Sequence, residues 1–309
     1  MMRLRQSLCL SASIVLLCAC AKEASKRSSE SARDTSAATP AITRSTPFGN
    51  LGAYHREIKT TNTQAQKFFD EGLTLLYGFN HEEAFRSFER ASGFDAHSPM
   101  PQWGMALALG TNINDPAPAE RLKRAYVHLA EAVKRVSSGS DVEQGLVRAL
   151  AERYVADAAG EQAPREEAYS RAMGALAKRF EADPDVGTLY AESMMNLHPW
   201  RLYTSDGSPE AWTPLIVATL ERVLVHNEQH PGANHYYIHA VEASTSPERA
   251  AQSASRLETL VPGAGHLVHM PAHIYIRTGR FNEAAQRNAA AAAVDEEYFK
   301  AAGPQPFYS

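Results

Sequence analysis

One spacing between residues 65 and 97 constrains this chain more than any other feature. Phe68, Gly72 and Leu75 are followed by Phe79, Ala84, Phe88 and Ala91. Residues three and four apart share a helix face. The pattern therefore describes two successive helices that carry the small residues Gly72, Ala84 and Ala91 among larger side chains. A related pattern returns at Tyr275, Gly279, Phe281, Ala284 and Ala291, ending around Asp295. Aromatics are only 8% of the chain, which favours helices packed through small residues over a sandwich or barrel. No strand-like alternation or hairpin turn competes, so the expected class is all-α.

The segments between carry looser versions of the same signal. Trp103 to Leu109 pairs with Leu122 to Val136, and Val142 to Ala156 with Glu166 to Phe180. Leu189 to Leu197 pairs with a helix after Pro209. Ser246-Pro247-Glu248 and Ser208-Pro209-Glu210 read as helix starts, with Ser as N-cap, Pro at the first helical position and an acid in the first turn. Asp115-Pro116 and Pro164-Arg165-Glu166-Glu167 are weaker starts. About six hairpins are expected over 65–300. The offsets of the 65–97 unit, with Pro231 and Pro262 at closing positions further on, resemble the tetratricopeptide repeat. That resemblance implies a TPR-like helical-hairpin solenoid over 48–303, with a 304–309 tail. It also implies a right-handed superhelix whose concave groove binds a protein or peptide partner.

The N-terminus has a different character. Arg3 and Arg5 precede an apolar run from Leu8 to Leu17, the layout of an export signal. Leu17-Cys18-Ala19-Cys20 resembles the lipobox of bacterial lipoproteins, with Cys18 departing from the commoner small residues at its position. The resemblance implies a signal peptide over 1–19 and lipidation, including palmitate, at Cys20. Ala21 in place of Asp implies a lipid anchor in the outer membrane of a bacterial cell envelope, facing the periplasm. Residues 20–47, rich in Ser, Thr, Ala and mixed charge, bury too little surface to fold and read as a flexible tether. All three cysteines lie within the first twenty residues, so the body has no disulfide and no thiolate metal site. A net charge of −4 lacks the basic balance of a nucleic-acid binder.

Seven of the twelve histidines fall between 226 and 273. They occur in His-Pro-Gly-Ala-Asn-His-Tyr-Tyr-Ile-His-Ala-Val-Glu, from His230 to Glu242, and in Gly-His-Leu-Val-His-Met-Pro-Ala-His, from Gly265 to His273. Both segments resemble those of a group of bacterial tetratricopeptide lipoproteins, a resemblance that brings no established activity. His235 and His239 are four apart, as are His269 and His273, and His266 stands three before His269. On a helix each pair shares a face, close enough for two imidazoles to reach one ion. By the resemblance to tetratricopeptide repeats, their register positions imply that these imidazoles and Glu242 line one groove, with His198 as an outer member. Imidazoles without thiolates suit copper or zinc, and Met270 offers a soft ligand for copper(I). Three readings compete: a metal site, a structural polar network, and recognition of a peptide carboxylate. Pro271 threatens the register, because a helix starting at Met270 would leave His266 and His269 in a loop. His226 and His230, near a helix C-terminus, read as structural; His55, His81, His97 and His128 read as isolated surface or packing residues. The chain lacks the His-Glu-x-x-His, Gly-x-Ser-x-Gly and phosphate-loop motifs. A lipid-anchored scaffold for a protein or peptide is thus the leading expectation. A copper- or zinc-binding protein is the alternative, and a metal-dependent hydrolase with Glu242 as general base comes third.

Overall fold

A computed structural model describes residues 50–157 and 162–303. The expected signal peptide, the lipidation at Cys20, the whole of the tether and the 304–309 tail lie outside the described residues. Within them the chain is all-α, an array of six helical hairpins as expected. These are α1 (Thr63–Tyr77) with α2 (His81–Phe94), α3 (Met100–Ala108) with α4 (Ala119–Lys134), and α5 (Asp141–Ala151) with α6 (Ala163–Arg179). Then follow α7 (Pro184–Leu197) with α8 (Thr213–His226), and α9 (Pro231–Val241) with α10 (Ala251–Leu260). The last pairs α11 (Gly265–His269) and α12 (Pro271–Arg277) with α13 (Phe281–Ala302). No described helix is long and apolar enough to cross a membrane.

Local chemistry explains the helix starts. Asn62 accepts hydrogen bonds from the amides of Gln64 and Ala65, and Ser140 with Glu143 closes a capping box at α5. Asp183 caps α7 ahead of Pro184. His230 caps α9 through its ring, accepting from the amide of Ala233 ahead of Pro231. The spacing of small residues works as expected. The Phe88 ring of α2 is fully buried in a slot between Gly72 of α1 and Gly104 of α3. A Cβ at either glycine would lie 2.7 or 2.6 Å from that ring.

Three expected boundaries are corrected. Ser208-Pro209 does not start α8. Asp206 accepts from the Ser208 amide, Ser208 returns its carbonyl to Thr204, and Pro209 bridges to Tyr203. Ser208 is thereby spent in a turn, and the helix begins at Thr213-Pro214. Asp115-Pro116 also precedes the true start at Ala119, because Asp115 is held in a turn by Asn112 and paired with Arg121. Helix α5 ends at Ala151, short of Ala156. Ser246-Pro247 opens a short 3₁₀ turn, Pro247–Ala250, which feeds α10.

The array also closes on itself. The non-helical segment 50–62 and helix α1 pack against α7 and α9, more than a hundred residues away. Arg56 binds Asp185 at 2.6 Å and Asp183 at 2.9 Å. Tyr54 and Tyr77 both donate to Asp185, at 2.5 and 2.6 Å, and His230 lies 3.3 Å from the same carboxylate. Asp185 is buried, which alone would raise its pKa. The Arg56 cation and the donors from His230 and Tyr54 outweigh this and hold it far below the usual carboxylate range. An ionised group this deep is tolerated because both of its oxygens have partners, one of them a cation. This closure brings the α1–α2 turn against the histidines of α9.

Candidate metal centre

Helix α9 supplies His235 and His239, and every one of its residues is buried. Its partner face comes from α11 and α12. Met270 between them keeps helical angles, φ −52° and ψ −37°, so the path stays helical through Pro271. Pro271 lacks its amide, and the His273 amide bonds three residues back, to the Met270 carbonyl at 3.2 Å. His266, His269 and His273 therefore share a face, and the proline does not break their register.

All six residues singled out from the sequence meet. His235 Nε2 lies 3.1 Å from His266 Nε2, and His269 Nε2 lies 2.8 Å from His273 Nε2. The rings of His235 and His239 are 4.9 Å apart, and those of His239 and His273 are 5.4 Å apart. One ligand atom each from His235, His239 and His266 can be chosen within 4.8 Å of one another, and likewise from His239, Glu242 and His273. Two nitrogens bound to one tetrahedral zinc ion stand about 3.3 Å apart, close to the first of these separations.

The other ring nitrogens are anchored. His235 Nδ1 faces the Tyr77 carbonyl at 2.6 Å. His239 Nδ1 and His273 Nδ1 take the two oxygens of Glu242, at 2.8 and 2.5 Å. His269 Nδ1 faces Asn288 Oδ1 at 2.7 Å. A carbonyl or an ionised carboxylate can only accept, so Nδ1 of His235, His239 and His273 carries the proton and Nε2 presents a lone pair. Nε2 of His239 is buried and has no hydrogen-bond partner among the described residues. A buried lone pair without a partner is costly, and a cation is what lone pairs converging from several rings suit.

The electrostatics agree. Burial, and then the neighbouring imidazoles, push His235 and His266 well below the ordinary histidine value. Burial also lowers His239 and His269. These rings are thus neutral near pH 7, the form that ligates. Burial raises Glu242, but the hydrogen bonds from His239 and His273 prevail and hold it down to about 2. With both oxygens engaged, Glu242 orients two ligands. Met270 is buried in the hydrophobic core.

Two aromatic residues close the site. Phe79, at the α1–α2 turn, and Trp200, after α7, adopt φ of 57° and 60°, the left-handed region, and are the described non-glycine residues that do so. Strain of this kind persists where surrounding packing demands it and clusters at functional sites. Both rings contact His239, at centroid distances of 6.1 and 5.4 Å. Phe79 also lies 4.6 Å from His235.

Two cavities reach the cluster from different sides. One, of about 400 Å³, is lined by His266, His269, Asn288, Asp295, Asn112 and His81. The other, of about 310 Å³, is lined by His239, Glu242, His198, Trp200 and Arg277 among apolar neighbours. His198 thus stands at the edge of the site, its ring stacked on Trp212 at 3.7 Å. His81 is a residue that sequence spacing missed. Burial pushes it down to about 4, it contacts the Ala108 carbonyl at 3.0 Å, and it lines the first cavity. His-Glu-Glu at the start of α2 carries no signal that could have found it. His230 belongs to the Asp185 network and is structural, but as the N-cap of α9 and not through the helix C-terminus expected for it.

No family model matches the chain, and no curated protein matches it. Among solved structures the chain is similar to MamA 41-end from Desulfovibrio magneticus RS-1. The TM-score is 0.35 at 10% identity, over 77% of this chain and 98% of that one. A likeness of that size bears on neither site nor activity, so function is argued from the residues themselves.

Proposed function

We propose that this protein binds a divalent transition metal, zinc or copper(II), through Nε2 of His235, His239 and His266. His269 and His273 line the same chamber, and Glu242 orients His239 and His273. The observation that carries this reading is that Nδ1 of His235 and of His239 is spent on a fixed acceptor, which turns their Nε2 lone pairs inward, while His266 Nε2 stands 3.1 Å from His235 Nε2. Three nitrogen ligands leave coordination positions open to a further group. Isothermal titration of the metal-free protein with zinc and copper(II) tests the reading. The parent is expected to bind one ion per chain, and His235→Ala/His239→Ala should weaken binding at least a hundredfold. Equal affinity in that variant would remove the site.

The protein is proposed to act at the bacterial envelope, anchored through Cys20. The lipobox-like Leu17-Cys18-Ala19-Cys20 and the apolar run before it support this. Cys20→Ser should abolish partitioning into a detergent phase while leaving helix content unchanged; unchanged partitioning would refute the anchor.

A protein partner is a second reading, favoured by the last hairpin. Ile276 and Phe281, at its turn, are 50% and 66% exposed, an apolar edge of the kind partners cover. Phe281→Glu should abolish capture of a partner from the protein's own membranes and leave metal titration unaltered. Capture at the parent level would exclude this edge.

A further inference from the structure

Of the two cavities beside the histidines, the smaller is built from chemistry that specifies a ligand. Its apolar wall includes Ile113, Met195 and Leu202, each under a tenth exposed. Trp200, 59% exposed, stands at the mouth with its ring edge-on to His239. Two imidazole nitrogens on the wall, His198 Nδ1 and His239 Nε2, are buried and have no hydrogen-bond partner among the described residues. His239 itself is only 5% exposed. Buried polar atoms in protein interiors are normally satisfied. Two on one cavity wall mark where a ligand or water must donate or be bound.

The charge on the wall decides the ligand's sign. Two formally charged residues line the cavity, Glu242 and Arg277. Both Glu242 oxygens are taken by the Nδ1 protons of His239 and His273. Arg277 forms no ion pair with any described carboxylate; its guanidinium donates to the Ser244 carbonyl at 3.3 Å. Its remaining donors suit the planar oxygens of a carboxylate. The walls, meanwhile, suit a flat apolar body.

We infer that this cavity binds a small organic acid, with an aromatic or other flat apolar body among Ile113, Leu202 and Trp200 and its carboxylate on Arg277. The assignment rests on the apolar wall and Arg277, and holds whether or not a metal takes His239 Nε2. Indole-3-acetate serves as the probe and indole-3-acetamide as its neutral isostere. Both are titrated by calorimetry into the full chain, once stripped of metal with chelator and once loaded with zinc. The acid is expected to bind at least tenfold tighter than the amide in both forms. Arg277→Gln should erase that preference, and Trp200→Ala should weaken both probes about tenfold. Equal binding of acid and amide, or no binding of either at millimolar concentration, overturns the inference. So does an acid that binds only the zinc-loaded protein and is unaffected by Arg277→Gln. That last result would place the carboxylate on the metal, leaving the metal site standing and removing the Arg277 pocket.

Discussion

Titration separates the individual residues of this protein sharply. His235, His239, His266 and His269 all have lowered values in the folded chain, through burial first and then through each other or nearby groups. Below about pH 6.5 the unfolded chain takes up protons on these rings while the folded one does not. Stability of the metal-free protein should therefore fall as pH drops from 6.5 towards 5, measured as a lower melting temperature. His266→Gln is expected to flatten that fall. Glu192 acts in the opposite direction. Burial pushes it up to about 7, despite the Arg153 cation, and its Oε2 has no hydrogen-bond partner among the described residues. Between the ordinary carboxyl value and about 7 the folded state holds a proton that the unfolded state has lost. Its stabilising effect, complete at acid pH, is lost as pH rises through 7. Glu192→Gln should thus gain about 1–3 kcal/mol at pH 8 and little at pH 5, read from denaturant melts at the two values.

At the scale of the element, the hairpins depend on close approach. Ala84 is fully buried where α1 and α2 meet, and Gly104 leaves room for the Phe88 ring. Ala84→Phe or Gly104→Ala should each cost about 1–3 kcal/mol through overpacking. Urea denaturation would show this as a lower midpoint with unchanged slope; full tolerance of Ala84→Phe would contradict the packing described. The same elements show how far local signals reach. Pro231 and Pro184 opened helices where the cap before them kept its acceptor for the first turn. Ser208 and Asp115 have the same composition of signal, but their polar groups are consumed by turns. The six-hairpin pattern was legible because small-residue spacing is a property of neighbouring turns. The boundaries at Thr213 and Ala119 were not, because competing turn bonds are decided by residues on the other side of the loop.

Across the whole molecule, Asp185 ties the beginning of the array to its middle. It collects Arg56, Tyr54, Tyr77 and His230 in one buried knot. Removing its charge leaves the buried Arg56 with Asp183 alone, so Asp185→Asn should cost about 3–5 kcal/mol. Because the Tyr77 carbonyl also anchors His235, zinc affinity should fall in the same variant although it touches no ligand. Calorimetric unfolding and zinc titration on one sample check both. A variant that lost stability and kept full zinc affinity would show that the imidazoles of α9 hold their orientation without the first hairpin.

The helical class, the hairpin pairing and the histidine faces follow from the sequence alone. Each depends on residues three to four apart, or on adjacent helices, and helical geometry converts such spacing directly into shared faces. His235 with His239, and His269 with His273, could be read in this way. That the two pairs meet depended on the stacking of neighbouring hairpins, which the repeat register also anticipated. The rest was settled by contacts across long stretches of chain. Tyr77 lies 158 residues before His235, whose proton it fixes, and Phe79 wedges a strained backbone against α9 because Asp185 draws α1 there. Glu242 could be read as a neighbour of the histidines, but its task of holding two Nδ1 protons emerged only from the packed pair of helices. Spacing tells which side chains share a face; only the packed structure tells what that face meets, and thereby which nitrogen keeps its lone pair.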